Sequence, residues 1–187
     1  CKVMAFEKSS AGCSAIVLAE HGQKRLDFDQ LLVAIGRKAN TRNLGLEAVG
    51  VELNGDGTIK VNEYLQTNFP NIFACGDVAG PYQFTHMASF QAWFASVNSL
   101  FGHFRKFKIH YDAVPWATFT DPEVARVGLN EQEAFEKGVA YEITRYELDD
   151  FDRAIVDSDA RGFVKVLTVP GKDKILGAVI VGSHASE

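Results

Sequence analysis

The 187-residue chain combines 47% hydrophobic with 23% charged residues, which excludes a disordered or low-complexity segment and leaves length for one sizeable core or two small ones. Its 19 basic residues against 24 acidic ones give a net charge of −5, so there is no electrostatic footprint for nucleic acid, and no apolar run approaches the roughly 20 residues that a membrane helix needs. Cys1, Cys13 and Cys75 stand far apart and in no C-x-x-C spacing, which argues against a disulfide framework or a zinc site and fits a reducing, cytoplasmic setting.

Residues 2–7 open the chain as a strand-like run with no initiation signal before it, and 13–19 form a second, β-branched one. His21-Gly22 reads as a turn, and Leu26 and Phe28 alternate with Arg25 and Asp27, which predicts an antiparallel hairpin. The continuous apolar run 31–35 predicts a strand buried on both faces. Gly36 after it is either a plain strand-to-loop turn or a place where a ligand reaches the backbone; Arg37 is a phosphate partner or a surface charge.

From Asn40 the composition shifts to loop and turn residues. Asn54-Gly55-Asp56-Gly57, flanked by Val51 and Leu53 and by Ile59 and Val61, predicts a tight hairpin. Pro70 fixes the entry to a predicted strand at 72–75, which ends at Gly76-Asp77. An ionised Asp accepts hydrogen bonds only, so a carboxylate here, beside a glycine that leaves room for a ligand, suits a polyol or ribityl hydroxyl. After the Gly80-Pro81 turn a helix begins, and its free N–H groups aim back at the same place and favour negative charge. Within that helix Phe90, Trp93, Phe94, Val97, Leu100 and Phe101 recur at helical spacing and are expected to form a buried face, with Gly102 as the stop. Cys75, inside the apolar strand with no second thiol nearby, reads as a small buried hydrophobe rather than a redox group. His86 at the helix start is expected to be structural rather than an acid or base.

The basic, aromatic-containing stretch 103–110 is a linker and domain boundary in preference to a phosphate or nucleic-acid patch. Beyond it the pattern becomes α+β. Strands are expected at 116–120, 124–127, 141–148, 163–169 and 175–181, with a helix capped by Asn130 and Glu133 and ended by Gly138, and a Pro170-Gly171 turn. A sheet of this size under one short helix leaves an apolar face in need of a partner. Asp149, Asp150 and Asp152 read as a solvated loop rather than acid/base groups or metal ligands, with Arg153 paired to one of them.

The runs LLVAIGR (31–37), LGLE (44–47), QTNFPNIFACGDVAG (66–80), FTHMA (84–88), TDPEVARVG (120–128) and GFVKVL (162–167) together resemble the pyridine nucleotide-disulfide oxidoreductases of the dihydrolipoamide dehydrogenase and mercuric reductase type, in the family's order along nearly the whole chain. The resemblance implies an α/β plus α+β fold. Residues 1–39 would be the end of an NAD(P)-binding domain, 40–108 the second segment of an FAD-binding domain, and 109–187 most of an interface domain that pairs with the same domain of a second subunit. It implies FAD and NAD(P) as cofactors, with Gly36 on the nicotinamide cofactor, Asp77 on the ribityl chain, Gly76 making room, and Gln83, Phe84, Thr85 and His86 at the flavin pyrimidine edge. The expected activity moves electrons from NAD(P)H through FAD to a cysteine pair in a homodimer, with neither nucleic acid nor membrane as partner. The family's Gly-rich loop, cysteine pair and His-Glu acid/base have no counterpart here, so the chain reads as a fragment, inactive by itself and reliant on the rest of its polypeptide. Two other readings stay open: a non-catalytic dimerisation module, and an FAD-dependent NADH dehydrogenase without a redox dithiol.

Overall fold

The structure, a computed structural model, describes residues 2–9 and 12–187, so Cys1 lies outside the described residues. The chain divides into two compact units, Cys1–Lys38 and Ala39–Glu187. Together they make a mixed α/β protein with two sheets and few helices.

The first unit is a three-stranded antiparallel meander of β1 (Lys2–Ser9), β2 (Gly12–Ala19) and β3 (Gly22–Phe28), in that order. The predicted hairpin is present: β2 pairs with β3 from Cys13↔Phe28 to Ala19↔Gly22 across the His21-Gly22 turn. Only the middle strand has buried residues, Ser14, Ala15 and Val17, whereas Val3, Met4 and Phe6 of β1 and Leu26 of β3 are exposed. The strand expected at 31–35 is absent: the run has no regular structure, and Leu32 and Ile35 are 89% and 94% exposed. A strand buried on both faces needs hydrogen-bonded neighbours at its edges, and no described strand pairs with this run. An apolar pattern can ask for such neighbours but cannot provide them.

The second unit begins with turns and a one-turn helix, α1 (Leu46–Val49). The predicted hairpin over 51–61 closes on one bridge, Leu53↔Ile59, around a turn in which Asp56 Oδ1 accepts from both the Thr58 amide and the Thr58 hydroxyl. Val51 and Ile59 form a small core with Ala74 and Ala79. The long helix α2 (Thr85–Phe101) follows, stopped at Gly102 as expected. Its buried face is not the aromatic one. Met87, Gln91, Ala95 and Asn98 are buried; of the predicted face Phe94 and Val97 are half-buried, with Phe94 against the Leu65, Ala95 and Ile109 core, while Phe90, Trp93, Leu100 and Phe101 are 44–65% exposed. The buried stripe advances by four, four and three residues, which is also helical spacing. Two amide side chains win the inner position because they satisfy loop backbone groups that no apolar side chain can.

A five-stranded antiparallel sheet completes the unit: β4 (Trp116–Thr118), β5 (Glu123–Gly128), β6 (Glu142–Glu147), β7 (Phe163–Thr168) and β8 (Ile175–Gly182), in the order β4-β5-β8-β7-β6. All five predicted strands are present. The Pro170-Gly171 turn joins β7 to β8, with Gly171 at φ 66° and the Lys172 amide donating to the Val169 carbonyl, as a type II turn requires. Helix α3 (Glu131–Glu136) carries the complete capping box: Asn130 Oδ1 accepts from the Glu133 amide, and Glu133 Oε2 from the Asn130 amide. Burial pushes the Glu133 carboxyl up, but hydrogen bonds from Arg126 and the Asn130 amide, with the charges of Arg126 and Lys137, outweigh it and hold the carboxyl below its ordinary range. The acidic stretch is not a plain loop. A 3-10 turn (Leu148–Asp150) leads into a short helix, α4 (Asp152–Val156), and Arg153 pairs with Asp157 at 2.7 Å rather than with Asp149, Asp150 or Asp152. The i,i+4 spacing on one helix turn decides that choice of partner. No helix among the described residues is long and apolar enough to cross a membrane.

Candidate functional site

The predicted carboxylate lies on a turn that the local sequence builds from both sides. Thr67 Oγ1 accepts from the Phe69 amide and the Thr67 amide donates to the Ile72 carbonyl, which reverses the chain at Asn68-Phe69-Pro70. The returning stretch then docks through the Gln66↔Phe73 bridge and the Ala74 amide, which donates to the Leu65 carbonyl. Those bonds are too few for the strand expected at 72–75, and the run is extended but not a strand. Asp77 accordingly sits in a 3-10 turn, Gly76–Val78, instead of at a strand end. The turn is tied to the hairpin by the Ile59 amide, which donates to the Val78 carbonyl at 2.7 Å.

Gly76 is required here for two reasons. Its φ is +77°, and a Cβ would lie 3.2 Å from the Cβ of Ala88 in α2. A side chain at this position would therefore press on the helix. Close approach is enforced from the other side by Gln91, fully buried, whose Oε1 accepts from the Gly76 amide at 2.6 Å. Its Nε2 donates to the Gly80 carbonyl at 2.8 Å and to the Tyr111 hydroxyl at 3.0 Å. The Asp77 turn is thus held against the first turns of α2, where the amino end of a 17-residue helix carries its partial positive charge.

At that end Phe84 is the N-cap and gives no side-chain cap, so the first N–H groups have no intrahelical acceptor. The side chains around them are committed elsewhere. Phe84 stacks on His86 with ring centroids 5.3 Å apart, and Phe84 and Tyr82 both pack on Trp116, at 6.2 and 6.1 Å. His86 Nε2 lies 2.8 Å from the Pro115 carbonyl; a carbonyl only accepts, so Nε2 carries the proton and His86 is a structural donor. What Phe84 and His86 can offer a ligand is chiefly backbone, whereas Thr85 is exposed. Gln83 lines a cleft of about 450 Å³ together with Asp56, Thr58, Asn62, Gly80 and Tyr111. Burial raises the Tyr111 phenol above its ordinary value, opposed by the hydrogen bond with Gln91.

Gly76, Asp77, Gln83, Phe84, Thr85 and His86 therefore share one turn-and-helix element. Gly36 does not belong to it: it lies in the other unit, exposed, at φ +131° with open space around its missing Cβ. Cys13 and Cys75 are free, and Cys75 packs half-buried against the core of Leu65, Ala95 and Ile109, as a small hydrophobe does. Among the described residues no group of three or more His, Cys, Asp or Glu is placed to hold a metal ion. Gln91, Asn98 and Tyr111 were missed in the sequence. The signal for Gln91 and Asn98 was the small-and-amide stripe on α2, spaced like a core face but hidden beside a louder aromatic one; Tyr111 had none.

The turn that carries half-buried Asp77 is fastened to a helix whose N-cap residue gives no side-chain cap, and a carboxylate and free helix amides are groups that bond hydroxyls and electron-rich edges respectively. The profile of the family described as pyridine nucleotide-disulphide oxidoreductase matches residues 1–92, and that of its dimerisation domain matches 114–187. Dihydrolipoyl dehydrogenase of Chlamydia muridarum is 39% identical over 160 residues, covering 86% of this chain and 34% of the relative. Mercuric reductase of Streptomyces lividans is 34% identical over 186 residues, covering 100% of this chain and 39% of the relative. Among solved structures, LpdA from Mycobacterium tuberculosis superposes with a TM-score of 0.86 at 27% identity, over 99% of this chain and 39% of that one. The HOCl-induced flavoprotein disulfide reductase RclA from Escherichia coli, as its Cu(II) complex, gives 0.83 at 29%, over 100% and 41%. The chain spans between a third and about two fifths of the length of these relatives. With both profiles matched in order along it, the chain belongs to the pyridine nucleotide-disulphide oxidoreductase family.

Proposed function

We propose that this chain supplies the second FAD-binding segment and the interface domain of an FAD-dependent oxidoreductase of the dihydrolipoamide dehydrogenase or mercuric reductase type. Residues 1–39 are the end of its NAD(P)-binding domain, 40–108 the FAD segment, and 109–187 the surface through which two copies pair, in the cytoplasm. The observation that carries the reading is the clamping of the Asp77 turn onto the start of α2 by the Gly76-to-Gln91 hydrogen bond and the Gly76–Ala88 contact. When bound, FAD passes electrons between a reduced nicotinamide and a dithiol. Asp77 accepts hydrogen bonds from the ribityl hydroxyls. The backbone amides of Gln83, Phe84, Thr85 and His86 donate to the pyrimidine edge, and the helix end favours negative charge there. Gly36 lets the nicotinamide cofactor approach the backbone.

Exposed apolar side chains on the sheet's edge strand and on the helices and loops beside it support the pairing. Phe119, Phe135, Ile143, Tyr146, Ile155 and Val156 are all 46–83% exposed in the second unit, apolar area that a second copy would cover. In the intact flavoprotein, Asp77→Ala is expected to weaken FAD binding on the order of tenfold or more, because a hydrogen bond to a charged acceptor is lost. Flavin fluorescence reports it. Unchanged affinity in this variant would overturn the assignment.

A further inference from the structure

Gln91 is the most heavily engaged buried side chain near the candidate site, yet it touches no group expected to meet the cofactor. It is fully buried at the middle of α2, and its amide is used completely for anchoring: Oε1 takes the Gly76 N–H, and Nε2 gives one bond to the Gly80 carbonyl and one to the Tyr111 hydroxyl. The first two bonds bracket the turn that carries Asp77, one residue before it and three residues after it. The third reaches past the 103–110 linker to Tyr111, which packs on the Leu65, Ala95 and Ile109 core and touches Tyr82 with ring centroids 5.5 Å apart. Tyr82 in turn stands two residues before the N-cap of α2.

We propose that Gln91 is a positioning residue for the flavin: it sets the height of the Asp77 turn against the amino end of α2 and couples that setting to Tyr111. The inference rests on the FAD reading above and goes beyond it, because Gln91 acts through the Gly76 and Gly80 backbone and never on the cofactor. An amide is suited to the task because one group must accept from an N–H while the other donates to a carbonyl. Leucine has nearly the same bulk and can do neither. Glutamate accepts from the Gly76 amide and lets the Tyr111 hydroxyl turn donor, but faces the Gly80 carbonyl with a second acceptor. It keeps two of the three bonds.

The test uses the intact flavoprotein and three variants, Gln91→Leu, Gln91→Glu and Tyr111→Phe. The readouts are hydrogen exchange of the Gly76 amide, the ultraviolet titration of Tyr111, and the FAD dissociation constant with the position of the bound flavin's absorption band. Gln91→Leu is expected to speed Gly76 exchange and weaken FAD binding, each on the order of tenfold, and to shift the flavin band. Gln91→Glu is expected to recover most of both losses, and Tyr111→Phe to show the smallest change. Faster Gly76 exchange with an unaltered flavin constant and band would leave Gln91 structural and overturn the proposal. Where Gln91→Leu does not fold, the other two decide: wild-type flavin constants and bands in both overturn it, and a graded loss supports it. Wild-type protein that fails to retain FAD sinks the function proposed above instead, a result visible before any variant is made.

Discussion

Two fully buried polar side chains, Ser14 in the first unit and Gln91 in the second, divide the molecule into contrasting halves. Ser14 sits in the middle strand of the β1–β2–β3 meander with its hydroxyl buried and no hydrogen-bond partner among the described residues. Gln91 has the same burial and three partners. In the meander, backbone ladders alone fix the register, and side chains add exposed pairs such as Arg25–Glu7, which contribute little. Around α2 the side chains themselves hold irregular backbone in place, and that is the region where the candidate site lies. Irregular backbone has no ladder to satisfy it, so a loop that must keep one shape near a ligand needs buried amides aimed at it.

Asn98, 4% exposed, breaks this contrast hardest. Its Nδ2 donates to the Tyr64 and Phe107 carbonyls at 3.1 and 2.8 Å, and its Oδ1 accepts from the Phe107 amide at 2.7 Å. Asn98→Ala strands three partly buried backbone groups and is expected to cost about 2–3 kcal/mol in urea unfolding followed by tryptophan fluorescence. A change no larger than that of an exposed α2 position such as Ser96→Ala would mean that the linker is held by something other than this amide.

The capping box gives an intermediate effect with a pH signature. The Glu133 carboxyl titrates below its ordinary 4.5 in the folded protein. The stabilisation it provides is therefore fully present above pH 4.5 and is lost as pH falls through the lowered folded value. Glu133→Gln is expected to cost about 1 kcal/mol at neutral pH and to flatten the acid limb of the stability curve below pH 4.5. Parallel curves for the two proteins across that limb would contradict the assignment.

Ser14 supplies the smallest effect, with opposite sign. Ser14→Ala removes an unsatisfied buried hydroxyl and is expected to stabilise the meander by up to about 1 kcal/mol, read as slower hydrogen exchange of the β2 amides. Faster exchange would show that the hydroxyl has a partner after all, and the contrast with Gln91 would fall.

Local chemistry was legible from residue order. The β2–β3 hairpin, the 54–57 turn, the Asn130–Glu133 capping box, the Pro170-Gly171 turn and all five strands of the second sheet follow from signals a few residues long. Each is closed by contacts between neighbours in sequence or by alternation along one strand. The helix start at Thr85 was legible too, a few residues after the Gly80-Pro81 turn. Three readings failed where the outcome depended on distant partners. The run 31–35 has strand composition without a strand beside it, 72–75 has too few bonds to become one, and the aromatic side of α2 lost the buried position to Gln91 and Asn98.

By itself the sequence determined which elements form, where they turn, and that a carboxylate and a helix start stand a few residues apart. Only the tertiary structure decided which face of α2 goes inward and why Gly76 must lack a side chain, because both depend on groups brought up from about nine to 34 positions away. A pattern of polar and apolar residues records what each position prefers. It does not record which backbone groups elsewhere are left in need of a partner, and in this protein that need placed the site.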